Sequence, residues 1–366
     1  MYLSKFAFFF VIPLVVCSIS TSAQNNLLTN KAISFSGHYG FVMKGNLETG
    51  HMANQHPKAL ELEITQKTSG NKPWQYDYNL PELSLSIHYI MMDPAKTLGN
   101  QLGAVFYFKN KIVRGNKSNL GFRIGAGAGY VEKRFDLYTN NQNNIISSRF
   151  NYILSGSIYY SYRFADNFSI NTGLDLIHYS NGSMKKPNQG INIPNMMLGL
   201  QYHFTESKLP DTKPAQPEQL KKWVFMAYAA GGSKNEYPVR SHNKAIWAIS
   251  ALVGKELNRK STIVAGFDYL YDGSLGAWTD ISTASNKWNF SKIALVAGHE
   301  LSIGKAALIT HLGYAFYKPI DLFSPLYQRY GLRYYILNNL AISAAMNAQL
   351  GKADFVEFGL TYKVRK

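Results

Sequence analysis

Residues 174–192 read Leu-Asp-Leu-Ile-His-Tyr-Ser-Asn-Gly-Ser-Met-Lys-Lys-Pro-Asn-Gln-Gly-Ile-Asn. In that run His178 and Ser180 stand two positions apart. An extended chain sends successive side chains to opposite faces, so Leu174, Leu176, His178 and Ser180 share one face while Asp175 and Tyr179 take the other. A serine hydroxyl becomes a nucleophile only when a base takes its proton, and the base needs a third group to hold its ring. Side chains at i and i+2 can supply the first two. Asn181, Asn188 and Asn192 can orient the imidazole or donate to an oxyanion. The same run also reads as a strand passing into a Gly/Asn/Pro-rich loop, where a His and a Ser are ordinary residues. Other enzyme signatures are missing. There is no Walker A loop, no His-Glu-x-x-His and no Gly-x-Ser-x-Gly elbow; His299-Glu300 lacks its second His. Gly125 to Gly129 has the wrong spacing for a dinucleotide fingerprint. No metal set and no cofactor is expected.

The elements that must hold these residues alternate with period two. In 122–130, Phe122, Ile124, Ala126, Ala128 and Tyr130 oppose Arg123, Gly125, Gly127 and Gly129. Segments 152–164 and 196–204 alternate in the same way, with aromatic ends. Long strands with one apolar face and one small or polar face fit an antiparallel transmembrane β-barrel better than a soluble sandwich. The Gly and Arg positions of 122–130 suit a narrow lumen. An all-β chain of about eight strands before residue 206 and about eight after 221 is therefore expected. The first set falls near 31–43, 57–67, 74–92, 98–109, 118–134, 147–163, 167–180 and 194–205. The second falls near 222–232, 244–256, 260–272, 285–302, 305–317, 326–336, 339–350 and 354–364. Residues 207–221, with Pro210, Pro214 and Pro217, read as a linker. The two sets share a weak repeat: Leu198 to Tyr202 resembles Phe358 to Tyr362, and Asn167 to Ile170 resembles Asn339 to Ile342. One barrel of about 16 strands and two barrels of about eight are both permitted.

Composition agrees. Of 366 residues only 16% are charged, 14% are aromatic and the formal net charge is +16. Lys5, the apolar run 6–16 and the small residues before Gln24 form a secretory signal over 1–23. The single cysteine, Cys17, lies inside it, so the mature chain from residue 24 has no disulfide, no thiolate ligand and no Cys nucleophile. After the signal no apolar stretch is long enough for a membrane helix.

The string His178-Tyr179-Ser180-Asn181-Gly182, followed by Pro187-Asn188-Gln189-Gly190 and a last strand ending in an aromatic, resembles the lipid A 3-O-deacylase family, the PagL-like acyloxyacyl hydrolases. The resemblance covers about 30–205 within a barrel unit expected over 24–206, and is sharp over 178–192. It implies an eight-stranded outer-membrane barrel that hydrolyses an ester-linked acyl chain of lipid A. It also implies Ser180 as nucleophile, His178 as general base, and Asn188 with the backbone near Ser183 as oxyanion donors. The family's acidic triad member falls at Asn192. An amide can accept the imidazole N–H and cannot stabilise an imidazolium as a carboxylate does. Asp175, on the inward face, is a poor substitute. In 222–366 the repeat sets Leu350 where His178 stands, so that half reads as non-catalytic.

A basic chain with no nucleic-acid motif, in this compartment, points to the phosphates of lipopolysaccharide, which Lys185 and Lys186 are placed to meet. Two functions follow: a lipid A esterase of the bacterial outer membrane, or a non-catalytic barrel, pore or structural, with a degraded site.

Overall fold

A computed structural model of the chain describes residues 28–43, 55–92, 96–214, 222–235, 242–277, 287–321 and 324–366. The expected signal at 1–23 and the second part of the linker, 215–221, lie outside them. The first set of strands is β1 (Lys31–Gly40), β2 (Lys58–Lys67), β3 (Glu82–Met91), β4 (Gln101–Arg114), β5 (Ser118–Val131), β6 (Phe150–Ala165), β7 (Phe168–Ser180) and β8 (Ile191–His203). The second is β9 (Trp223–Lys234), β10 (Lys244–Glu256), β11 (Ser261–Asp272), β12 (Ser291–Ile303), β13 (Ala306–Tyr317), β14 (Leu326–Tyr335), β15 (Leu340–Gln349) and β16 (Lys352–Arg365).

All ladders are antiparallel, and the strands close as two separate barrels of eight. β1 pairs with β2 on one side and β8 on the other, and β9 pairs with β10 and β16. This decides between the two arrangements that strand counting permits. Closure leaves no edge, so every strand finds ladder partners on both sides without water. The short turns 115–117, 166–167 and 304–305 mark one end of the barrels, here the inner end; the longer loops 132–149 and 181–190 mark the outer end.

Alternation decides the faces. Outward positions such as Phe106, Ile124, Ile158, Leu174, Leu198, Phe267, Leu312 and Leu360 are exposed, and their inward neighbours are buried and mostly polar. An apolar band outside and a polar interior is the pattern a bilayer imposes on a barrel. The first lumen is filled. Gly125 leaves room for the Tyr107 ring and Gly129 for the Tyr179 ring, since a Cβ at either would lie 2.5 Å or less from the aromatic carbons. Arg123 Nη1 binds Glu61 Oε1 and Glu63 Oε2, each at 2.6 Å, and Nη2 lies 3.3 Å from Asp175 Oδ2. Lys109 pairs with Glu63. In the second lumen Arg329 pairs with Asp268 and Glu357, each at 2.7 Å, and Arg333 with Glu300.

Two expected strands begin later than alternation predicts. In 74–92, Pro73 opens a short helix, α1 (Pro73–Asp77), because its ring fixes a helical φ and its missing N–H costs nothing at a first turn. Asn79 and Leu80 then take positive φ, and β3 starts only after Pro81. In 285–302, residues Lys287–Phe290 form a 3₁₀ turn before β12.

Replacing Arg123 by Met would leave Glu61, Glu63 and Asp175 facing one another without their guanidinium. The first barrel is expected to lose about 3–5 kcal/mol of stability, read as a lower midpoint of thermal unfolding in detergent. An unchanged midpoint would show that this ion cluster is not what holds the lumen.

Candidate active site

The outer end of β7 carries His178 and Ser180 on the outward face. The β7–β8 register sets Asn192 directly opposite His178, and the β6–β7 register sets Tyr152 opposite Ser180. Side chains opposite one another in such a ladder are in contact range. His178 Nδ1 donates to Asn192 Oδ1 at 2.7 Å. That bond places the ring proton on Nδ1 and leaves the Nε2 lone pair as the basic one. Gly190 closes over the ring: its φ is +77°, and a Cβ there would lie 2.5 Å from His178 Cε1. Any side chain would push the imidazole away.

Ser180 is buried beneath the loop that follows it. Its Oγ accepts from Gly182 N at 3.1 Å and from Asn188 Nδ2 at 2.9 Å. With both lone pairs used, the hydroxyl proton is the group left to donate. Asn188 is oriented in turn, because its Oδ1 accepts from Asn181 N at 3.1 Å. Gly182 and Ser183 take successive left-handed conformations, φ +61° and +65°, which aims the Gly182 N–H back at Ser180.

Each remaining candidate has a definite place. Asn181 is fully buried, and its Nδ2 donates to Ser148 Oγ and Lys185 O, each at 2.8 Å. Ser183 Oγ donates to Ala353 O of the second barrel at 2.9 Å, so the hydroxyl is turned away from Ser180. Lys185 is exposed and Lys186 half-buried on the outer loop. Asp175 is inside the lumen, 2.9 Å from His38 Nδ1 and ion-paired to Arg123. Among the described residues, His38, Glu61 and Asp175 also bring ligand atoms near enough to hold a metal, but Arg123 already pairs with both carboxylates.

The loop 132–149 supports the site, and sequence reasoning missed it. Gln189 N donates to Ile145 O at 2.8 Å, Ile146 bridges to Asn188, and Ser147 Oγ donates to Lys185 O at 2.8 Å. The signal was only a polar loop of Asn and Ser. Among the described residues the second barrel has no counterpart of the 181–190 loop. β15, its seventh strand, turns into β16 through Leu350 and Gly351 alone, at positive φ. The ten residues that carry the first barrel's loop are reduced there to two.

Two family models match the chain. "Lipid A 3-O-deacylase (PagL)" matches residues 58–201, and "Acyloxyacyl hydrolase, C-terminal domain" matches 223–366. No curated protein matches it. Among solved structures, the outer membrane enzyme PagL is 16% identical, covering 45% of this chain and 97% of that one, with a TM-score of 0.33. Neisserial surface protein A is 10% identical over 48% of this chain and 98% of its own, with a TM-score of 0.32. A mutant of Rh. blastica porin is 10% identical over 91% of this chain and 100% of its own, with a TM-score of 0.21.

Asn181→Ala would remove the two shortest bonds of this side chain, to Ser148 Oγ and Lys185 O. Each such bond contributes about 1 kcal/mol, so the loop is expected to open about thirtyfold more often. Trypsin should then cut after Lys185 correspondingly faster, followed by the appearance of the two fragments. Equal cleavage rates would show that Asn181 does not hold the loop.

Proposed function

The chain belongs to the lipid A 3-O-deacylase family of outer-membrane barrels, and on that premise we propose that it removes an ester-linked acyl chain from lipid A by a Ser180–His178 mechanism. The observation that supports this best is the division of roles in the hydrogen bonds. His178 is held by Asn192 at the nitrogen remote from the reaction. Ser180 receives two donors, Gly182 N and Asn188 Nδ2, that belong to the following loop.

In this reading His178 Nε2 takes the Ser180 hydroxyl proton as Oγ attacks the ester carbonyl carbon. The carbonyl oxygen becomes an oxyanion beside Oγ, where the Gly182 N–H and the Asn188 amide are the nearest donors. Collapse expels the sugar hydroxyl, which takes the proton from Nε2, and leaves the acyl group on Oγ. Water then repeats the sequence: it gives a proton to Nε2, attacks the acyl carbon, and releases the fatty acid as Oγ regains its proton. Asn192 keeps the correct tautomer throughout. It offers no negative charge to the imidazolium that forms in each half, so the chemical step is slower than a carboxylate at that position would allow. The exposed Lys185 beside the site supplies positive charge for the phosphates of the substrate.

Purified protein in detergent is expected to remove one acyl chain from lipid A, seen as the corresponding mass loss. Ser180→Ala and His178→Ala should each slow that loss by about 10³ or more. Full activity in Ser180→Ala would remove Ser180 from the role given to it.

Asn192→Asp tests the tautomer argument from the opposite side. Exchanging carboxylate for amide cost about 10⁴ in one serine protease, so the reverse change here should raise kcat by about tenfold or more with KM little altered. A lower kcat would mean that the imidazolium is not the charge that limits the rate.

A further inference from the structure

An outward residue of a membrane barrel ordinarily stands in lipid. Val356 does not. It shares the outward face of β16 with Phe358 and Leu360, yet it is only 8% exposed, against 52% for Phe358. What covers it is the first barrel's loop. A Cβ built on Gly182 would lie 2.2 Å from Val356 Cγ2, and Ser183 on the same turn is bonded to Ala353. On the side of this contact nearer mid-barrel, the rings of Tyr152 and Phe358 stand 6.4 Å apart. Tyr152 is the ladder partner of Ser180. Phe358 is flanked in its own barrel by Gly231 and Ala344, with the Trp247 ring lying over Gly231. At the inner end a second contact holds the barrels together: Arg259 Nη2 pairs with Asp77 at 2.5 Å, and Tyr78 Oη donates to Ser302 O at 2.7 Å. The seam between the barrels is therefore fixed at both ends.

An ester that reaches Ser180 must come from the outward face, because the other face of β7 is packed lumen. Its acyl chain then points towards the middle of the bilayer, along the seam. We propose that the second barrel supplies one wall of the acyl-chain site, with Phe358 as a specificity-determining residue opposite Tyr152. The inference rests on the deacylase reading above. A chain that leaves lipid for this seam exchanges one apolar surrounding for another, so burial as such gives little. What the seam adds is shape, and shape separates one chain length from another through packing contacts. A barrel without a hydrolytic loop thus acquires a role in the reaction of its neighbour.

The full chain in detergent is assayed on lipid A preparations that differ only in the length of the ester-linked chain. Phe358→Ala is expected to change the ratio of kcat/KM between the longest and shortest chains by about threefold or more. Phe267→Ala, an equally exposed aromatic on β11, should leave the ratio as in wild type. A ratio unchanged in an active Phe358→Ala protein overturns the inference and leaves the deacylase reading intact. Wild-type protein that releases no acyl chain overturns the deacylase reading instead. The juxtaposition itself is checked without activity. The double variant Tyr152→Cys with Phe358→Cys should be joined by a short bifunctional thiol reagent, which neither single variant permits. Absence of that link in a protein that still shows heat-modifiable migration also overturns the inference.

Discussion

A strand in hydrocarbon has no water to satisfy its N–H and C=O groups, so each must find another strand. The rest of this structure depends on how that requirement is met. β1 closes on β8 and β9 closes on β16, rather than β8 continuing into β9. Closure within each half makes two narrow cylinders. Their narrow interiors bring polar side chains together, and these pair in the ion clusters around Arg123 and Arg329. A filled interior leaves only the outward face and the loop ends for chemistry. His178 and Ser180 stand where those two regions meet.

The same ladder that closes the barrel also builds the site. Asn192 faces His178 because the two residues are partners in the β7–β8 register, and Tyr152 faces Ser180 through the β6–β7 register. The loop then completes what the ladder begins. It brings Asn188 back to Ser180 and lays Gly190 on the imidazole. Asp175 shows the reverse case. One step along the strand from Leu174 sends its carboxylate into the lumen, where His38 and Arg123 hold it, so it has no path to His178.

Much of this is legible in the sequence. Period-two alternation located the strands, placed Arg123 and Asp175 inside, and put His178 beside Ser180 on the outer wall. The family resemblance gave Asn188 and Asn192 separate roles. Other features left no trace in the alternation. The helix α1 depends on Pro73 and on the positive φ of Asn79 and Leu80, local choices that a strand pattern does not register. Whether sixteen strands close once or twice depends on which distant edges pair, and apolar and polar faces look the same either way. The burial of Val356 was invisible for a related reason. Its neighbours in sequence are those of a lipid-facing strand, and the residue that covers it is Gly182, 174 positions earlier.

Eight is an even number, and that parity has its own consequence. A chain that crosses a membrane eight times leaves on the side from which it entered. β8 therefore ends and β9 begins on the same side of the bilayer, and both cylinders present their hairpins to the same leaflet. With an odd count the second cylinder would be inverted, and its β15–β16 turn would lie a full membrane thickness from Ser180. Two even-stranded units in series thus need no change of orientation to bring their outer ends level, and the β15–β16 rim lies beside the loop of the first barrel.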